Sequence, residues 1–163
     1  MRENNNSAMV GYPVYLLVAI IASTLIIGIF SFSMINIINQ TKKDNILREI
    51  EKIISEAENM FEYADAGSEI TIDVDFSDML KFIVFGSLPI NGTQYPNNYT
   101  IDEKTSNNYY YVLDDGELYS FSSHVRFSSN ETNKISVFSS GSYDLVLDLE
   151  KIGGHSYVKI YSK

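Results

Sequence analysis

An unbroken apolar run dominates the first quarter of the chain. From Met9 to Ile38, Asn36 is the one strongly polar side chain. A helix of this length spans roughly 45 Å, whereas the hydrocarbon core of a bilayer needs only about 20 helical residues. The run is also about twice as long as the apolar region of a cleaved secretory signal, which normally follows several positive charges. We therefore predict a helix over residues 9–38 that spans a membrane or packs against other helices, after a polar leader in residues 1–8.

A period of three and four residues replaces the uniform apolar pattern after Lys42. The positions that form this stripe are Ile46, Leu47, Ile50, Ile53, Ile54, Ala57, Met60, Phe61 and Ala64. Such a stripe is typical of an amphipathic helix with one buried face. Since no Pro or Gly lies between Ile29 and Ala66, and Gly67 is a stop signal, one helix is predicted over residues 9–66. We expect its stripe to bury against the domain that follows; a dimeric coiled coil is the alternative.

In the C-terminal part of the chain the hydrophobic period changes to two. Residues 69–76 alternate apolar and polar side chains, which predicts a half-buried strand, and residues 80–86 predict a more buried one. The Asp-Gly pair at 115–116 supplies the turn of an aromatic-rich hairpin. The remaining candidate strands have the sequences HVRFSS, NKISVFSS, YDLVLDLE and HSYVKIYS, of which the first and last begin at His124 and His155.

These patterns predict an α+β fold, in which a long N-terminal helix, apolar and then amphipathic, packs on an antiparallel β-rich head domain in residues 67–163. Short turns between the strands fit either a single sheet or a two-sheet sandwich, and the pattern leaves both open. The segment 87–107 is rich in Asn, Pro, Gly and Thr and has too few apolar residues for a core element. It is interpreted as a long polar loop.

Composition and charge narrow the classes of function. The chain has no cysteine, so neither a disulfide framework nor a thiolate metal site can form. Its net charge is −9, and apart from Arg2 and Glu3 every charged side chain lies at Lys42 or beyond. Because an acidic domain repels phosphate backbones, no nucleic-acid partner is expected.

The search for candidate chemistry yields no catalytic residue. Phosphate-binding glycine loops, zinc-protease motifs and nucleophile elbows do not occur in the sequence. His124 and His155 are interpreted as surface histidines, and Asp115 and Glu117 as turn residues rather than a metal nest. We therefore expect a protein that is not an enzyme and that uses neither a cofactor nor a metal ion.

Two groups of residues remain as candidates for packing and for modification. Small side chains at helical spacing in the apolar run would let helices approach closely. They are Ala19, Ser23, Thr24, Gly28 and Ser31. Asn-x-Ser/Thr triplets mark candidate N-glycosylation sites in an exported chain. Those in accessible parts of the head are Asn91, Asn98 and Asn130.

The charges that flank the apolar run bear on the side of a membrane that the head occupies. Lys42, Lys43 and Arg48 follow the run and Arg2 alone precedes it, an asymmetry that the positive-inside rule associates with a cytoplasmic C-terminal side. The acidic, Tyr-, Ser- and Asn-rich head without cysteine and its glycosylation triplets favour the opposite side. We expect the head to lie outside the cytoplasm.

The order of these segments resembles the type IV pilin-like superfamily, and within it the archaeal branch of archaeal pilins, archaellins and archaellum accessory proteins. The shared features are a short polar leader, an apolar helix that continues into an amphipathic half, and a compact β head; the motif lies in SAMVGYPVYLLVAIIASTLIIGIF. The resemblance implies a membrane peptidase that cuts after Ala8 or Gly11. It also implies helices that bundle in the core of a surface filament, with residues 9–38 as the filament-core part.

Two functions follow as expectations. The first is a pilin-like structural subunit, major or minor, of an archaeal surface filament or its anchoring apparatus, which assembles through the apolar helix with copies of itself or with other pilin-like subunits. The alternative is a permanently anchored membrane protein with one span, whose extracytoplasmic β domain binds a component of the cell envelope. The expected location is the cell membrane with the C-terminal domain outside the cytoplasm, or an extracellular filament.

Overall fold

The structure, a computed structural model, describes residues 7–131 and 133–163. Residues 1–6 of the predicted leader lie outside this description. The chain divides into two compact units, Met1–Thr41 and Lys42–Lys163. The second unit contains the head together with the amphipathic part of the helix.

One helix, α1, extends from Ser7 to Tyr63. The helix predicted over residues 9–66 is therefore present as a single element that ends three residues earlier. The chain leaves the helical path because the Gly67 N–H donates to the carbonyl of Leu149 (2.7 Å), a bond to a distant strand that no local pattern specifies. Gly67 has a φ of +91°, so the predicted stop residue lies in the turn that follows the helix.

About half of the described residues after α1 lie in strands. They are β1 Glu69–Phe76, β2 Leu80–Phe85, β3 Asn108–Leu113, β4 Leu118–Ser122, β5 Phe127–Ser128, β6 Ser136–Phe138, β7 Gly141–Ile152 and β8 His155–Ser162. They form two four-stranded sheets with the orders β1-β7-β8-β5 and β4-β3-β2-β6. All pairings are antiparallel except the parallel pair β5–β8. The predicted α+β fold is confirmed, and the head has two sheets.

The stripe of the amphipathic half of α1 belongs to one hydrophobic core with residues of both sheets. Its buried members are Ile46, Ile50, Ile53, Ala57 and Met60. The same core contains Val74 and Leu147 of the first sheet and Phe85 of the second. The expectation that the stripe buries against the following domain is confirmed. Leu47 is the exception in the stripe, with 39% of its surface exposed.

The amphipathic half of α1 also covers the free edge of β1, the outermost strand of the first sheet. Lys52 Nζ donates to the carbonyl of Asp73. The Asn45 amide, oriented with its nitrogen toward the strand, donates to the carbonyl of Asp75 (3.0 Å). Unpaired edge carbonyls attract foreign strands, so these two side chains protect the edge.

On its other flank α1 contacts the second sheet. Glu58 Oε1 accepts a hydrogen bond from Ser123 Oγ (2.8 Å), just after β4. On the side of the sandwich away from α1, a side chain connects the two sheets directly. Ser136 Oγ of β6 lies within hydrogen-bond distance of the carbonyls of Ser128 in β5 (2.9 Å) and Ile160 in β8 (2.7 Å). The two sheets are thus joined through β5, β6 and β8 on one side and bridged by α1 on the other.

The polar loop at residues 87–107 covers the outer face of the second sheet. A second, smaller core lies under it, formed by Phe82, Val84, Tyr110, Val112 and Ile135. Tyr95 from the loop packs on Phe82 with ring centroids 4.9 Å apart, Ile101 packs on the same core, and Pro96 is buried. The prediction that this loop contributes to no core is wrong. Its few apolar side chains are enough to complete a core because the sheet supplies the other apolar residues.

The candidate strand HVRFSS is realised only as the two residues of β5. His124 therefore does not begin a strand, whereas His155 does begin β8 as predicted. The physical reason lies in the preceding residue, since Ser123 Oγ accepts a hydrogen bond from the Val125 N–H (3.1 Å) and so stabilises a bend. Strand pairing with β8 starts only at Phe127.

Candidate functional site

The apolar part of α1 exposes its large side chains on every side. Among residues 13–38, exposure of the large apolar side chains ranges from 44% at Ile38 to 77% at Tyr15. Within the described residues, one helix is long and apolar enough to cross a membrane by length and composition. An apolar surface of this size is typical of segments that lipid or other apolar helices cover.

Two hydroxyl groups in this segment are bonded to the helix itself. Ser23 Oγ donates to the carbonyl of Ala19 (2.7 Å), and Thr24 Oγ1 donates to that of Ile20 (2.8 Å). A hydroxyl without a partner is costly in an apolar environment, and these internal bonds remove most of that cost. The two polar side chains are therefore compatible with lipid or with a helix bundle.

The five small residues predicted as a packing face occupy two different sides of the helix. At about 100° per residue, Thr24, Gly28 and Ser31 fall within about 60° of one another. Ala19 and Ser23 point about 130° away from that group on average. A methyl group added at Gly28 meets no atom within 4 Å, so packing within the chain does not require this glycine.

Two lysines that follow the apolar run pair with carboxylates of the head. Lys42 Nζ lies 2.7 Å from Asp78 Oδ1. Lys43 Nζ lies 2.7 Å from Glu117 Oε2 and 3.1 Å from Asp115 Oδ2, in the turn between β3 and β4. These ion pairs give both lysines a role within the folded unit, so their position after the apolar run does not depend on a cytoplasmic location.

The electrostatics of the turn follow from these pairs. The hydrogen bond with Glu117, and then that with Asp115, raises the pKa of Lys43 above its ordinary value. The Glu117 backbone N–H and the Lys43 ammonium lower the pKa of Asp115. Lys43, assisted by the Tyr119 hydroxyl, lowers the pKa of Glu117. The predicted interpretation of these acids as turn residues agrees with the structure, where Asp115 Oδ1 accepts from the Glu117 N–H (3.0 Å).

An aromatic cluster lies beside this turn. The ring centroids of Tyr111 and Tyr119 stack 5.1 Å apart, and those of Tyr109 and Phe121 stack 5.4 Å apart. Burial raises the pKa of Tyr111 to about 12. A cavity of about 290 Å³ lies next to these rings and is lined by Lys43, Leu47, Tyr111, Leu113, Tyr119 and Phe121. Sequence patterns missed it, because its lining comes from α1 and a distant hairpin.

The histidines are exposed, as predicted. His124 lies between two carboxylates of α1, with its Nδ1 3.5 Å from Glu58 Oε1 and its Nε2 3.4 Å from Glu62 Oε1. No group of three or more His, Asp or Glu side chains arranged to hold a metal ion is found in the part of the chain that the structure describes.

The structure brings two of the three candidate glycosylation segments together. The Ile101 N–H donates to the Asn133 carbonyl (2.9 Å), which joins the segment of Asn98 to that of Asn130. Asn98 and Asn130 are exposed. Asn91 is half-buried, and its Nδ2, the atom that carries a glycan, donates to Asn97 Oδ1 (2.7 Å). The geometry therefore favours Asn98 and Asn130 over Asn91 as acceptors.

The candidate cleavage positions lie within the helix. Ala8 and Gly11 fall in the first turns of α1. A protease cuts a helical segment only after local unwinding.

Comparisons of the chain with protein-family models, with curated proteins and with solved structures find no match.

Proposed function

We propose that the protein is a pilin-like structural subunit of an archaeal surface filament or its anchoring apparatus, which assembles through its apolar helix and presents the β head outside the cytoplasm. One observation carries the proposal: a single helix combines an apolar part exposed all round with a part built into the head's own core. The first part is adapted to lipid before assembly and to other helices afterwards. The second part ties that helix to the head.

The location of the head is part of the proposal. Lys42 and Lys43 are used in ion pairs with the head, and the exposed Asn98 and Asn130 lie in sequons. Protease treatment of intact cells should remove the head and leave the apolar segment in the membrane fraction. A head that stays intact until the cells are lysed contradicts this orientation.

The alternative is a permanent anchor with one span, whose head binds a component of the cell envelope. The helical conformation at Ala8 and Gly11 favours it, because cleavage there requires unwinding. Mass spectrometry of the mature protein separates the two functions. A chain that starts at Met9 or Tyr12 supports the processed subunit, whereas an intact Met1 in the mature membrane fraction supports the anchor.

Assembly itself is tested by a bulky side chain on the helix. Gly28→Leu fills the open space at residue 28 and should weaken filament assembly without preventing membrane insertion. Ser33→Leu is the matched control, since it also replaces a small residue but points about 140° away from Gly28. Purified filaments and membranes are quantified for both variants. Equal assembly of the Gly28 variant and the unmodified protein removes the packing face of Thr24, Gly28 and Ser31 from the proposal.

A further inference from the structure

A groove of about 520 Å³ opens on the head where β6 of the second sheet lies beside β8 of the first. Its floor is apolar and buried, and it is formed by Ile135, Phe138 and Ile160. Ser136 closes the gap between the two sheets at this place, through its contacts with the carbonyls of Ser128 and Ile160. Because small-molecule sites have volumes of roughly 300–1,000 Å³, the groove is large enough for a small ligand.

Three tyrosines supply aromatic surface to this groove. Tyr95 and Tyr99 come from the polar loop and are 47% and 42% exposed, and the half-buried Tyr161 comes from β8. The polar side chains that line the groove are Ser129, Asn130, Glu131, Lys134 and Ser162. Glu131 and Lys134 form an ion pair with each other, so the two together bring no net charge to the groove.

This combination of side chains fits a neutral sugar. The faces of a pyranose ring carry C–H groups that pack on aromatic rings, whose faces are negative. The hydroxyl, amide and carboxylate groups of the groove match the sugar hydroxyls as donors and acceptors of hydrogen bonds. A phosphate fits less well, because the chain has a net charge of −9 and the ammonium group of Lys134 is already paired.

We propose that this groove binds the first sugars of an N-linked glycan carried by Asn130 of the same chain. Asn130 lines the groove, is exposed, and begins the triplet Asn-Glu-Thr. A sugar joined to its Nδ2 therefore starts at the rim of the groove. Since the covalent bond holds the sugar at a high effective concentration, the weak contacts of a sugar with aromatic rings are sufficient.

The attachment needs a sugar donor from the cell, namely an activated glycosyl phosphate. The Asn130 Nδ2 bonds to the anomeric carbon of the donor, the phosphate leaves with the electrons of the broken bond, and one amide proton is released. The inference rests on the proposed location of the head outside the cytoplasm, where exported chains are glycosylated.

Asn98 supplies the internal comparison. It is also exposed and begins the triplet Asn-Tyr-Thr, but it lines a different and smaller hollow, together with Asn91 and Pro96. Its Oδ1 accepts a hydrogen bond from the Thr100 N–H (3.0 Å). A glycan on Asn98 therefore starts from another part of the surface, and we expect it to leave Tyr161 uncovered.

Oxidation of the tyrosines by hydroxyl radicals tests the inference in the full-length chain. The protein is purified in detergent from its native cells, and glycopeptide mass spectrometry gives the occupancy of Asn130. The oxidation rate of each tyrosine is then measured for the unmodified sequence, for Asn130→Gln and for the matched control Asn98→Gln. Tyr63, which is 82% exposed at the end of α1, is the reference ring. Near-UV circular dichroism checks that each head is folded.

The expected result is that Tyr99 and Tyr161 are oxidised several-fold faster in Asn130→Gln than in the unmodified sequence, because loss of the glycan uncovers the groove. The rate at Tyr63 should not change, and Asn98→Gln should leave the rate at Tyr161 unchanged. In protein from a host that does not N-glycosylate, the unmodified sequence and Asn130→Gln should be oxidised at the same fast rate. That result separates the effect of the glycan from that of the asparagine side chain.

Three outcomes overturn the inference. The first is an Asn130 without a glycan in a head that protease removes from intact cells, a result that leaves the proposed location intact. The second is an occupied Asn130 with equal oxidation rates for Asn130→Gln and the unmodified sequence. The third is protection of Tyr161 that persists in Asn130→Gln from native cells, which shows that a molecule from another source fills the groove. A head that resists protease in intact cells contradicts the proposed location itself.

Discussion

The two parts of α1 have the same secondary structure and opposite surroundings. In residues 13–38 the large apolar side chains are exposed, with Leu25 at 64% and Ile27 at 65%. In residues 42–63 the apolar side chains are confined to one stripe, and Ile53 is fully buried in the head. The chain itself therefore covers one part of the helix and leaves the other to its environment.

This difference divides the expected effects of substitution into two classes. Changes in the second part act on the stability of the head, because its side chains pack or bond with the sheets. Changes in the first part should leave that stability alone and act only on insertion or assembly.

The largest expected difference is between two isoleucines of α1. Ile53→Ala leaves a cavity in the core and should lower the free energy of unfolding of the head by about 2–5 kcal/mol. Ile27→Ala, the same chemical change at an exposed position, should lower it by much less than about 1 kcal/mol. Denaturant unfolding of the full chain in detergent, followed by near-UV circular dichroism, measures both. Equal losses would show that the apolar part of the helix also belongs to the folded core.

A pair of glycines gives the next largest difference. A side chain at Gly86 would approach the Phe127 carbonyl oxygen to 2.9 Å, and φ there is +92°, so Gly86→Ala should destabilise the head by about 1–3 kcal/mol or more. Gly28→Ala meets open space in a helix and should not destabilise it. Thermal melting of the two variants tests the contrast. A fully stable Gly86→Ala variant contradicts the close approach of β2 and β5.

Loss of the edge protection at β1 should have a smaller effect. Lys52→Met removes the bond to the Asp73 carbonyl and keeps most of the apolar stem, so the free energy of unfolding should fall by about 1 kcal/mol. Lys104→Met, on the exposed loop, is the control and should be close to neutral. The Lys52 variant should also aggregate faster, as light scattering can detect, because it uncovers an edge strand. No change in either measurement argues against a protective role.

The smallest expected effect concerns Lys43 and depends on pH. Because the pKa values of Asp115 and Glu117 are lowered, these two carboxylates stabilise the folded head at any pH above the ordinary carboxylate pKa of about 4. This stabilisation is lost as the pH falls through the lowered pKa values. Because the pKa of Lys43 is raised, its ammonium group stabilises the folded head at any pH below about 10. This stabilisation is lost only as the pH rises through the raised pKa.

Lys43→Met should therefore lower Tm slightly and by a constant amount between about pH 5 and 9, because exposed ion pairs contribute little. The difference from the unmodified protein should shrink as the carboxylates become protonated at lower pH. Melting curves across this range measure it. A difference that grows toward acid pH contradicts the assigned pairs.

Much of the head could be predicted because its strands carry local signals. Residues 69–76 alternate with period two and form β1, and the Asp-Gly pair at 115–116 forms the turn between β3 and β4. The strand predicted for HVRFSS does not form over its full length, because the hydroxyl group of Ser123 redirects the backbone before Phe127. The contribution of the loop at residues 87–107 to a core could not be predicted, because its burial depends on a sheet face that forms only when the whole head folds.

The candidate site could be predicted less completely. The apolar run was visible from composition, because about 20 apolar residues have few stable surroundings other than lipid or apolar helices. Two contacts join residues far apart in sequence, namely the ion pair of Lys43 with Glu117 and the bond of Lys52 to the edge of β1. The exposure of β4 likewise depends on how distant strands pair. Periodicity is a local property and carries no information about such partners.

By itself, the sequence determined where the helix lies, which of its parts is uniformly apolar, and that an acidic β-rich domain follows. These properties depend on side-chain period and composition, which act over a few residues. Only the tertiary structure decided that the head has two sheets, that α1 connects them on one side, and that β4 is the sheet edge left exposed. Those features depend on which distant surfaces meet, and burial of apolar area together with hydrogen bonding of edge groups selects them only when the whole chain is folded.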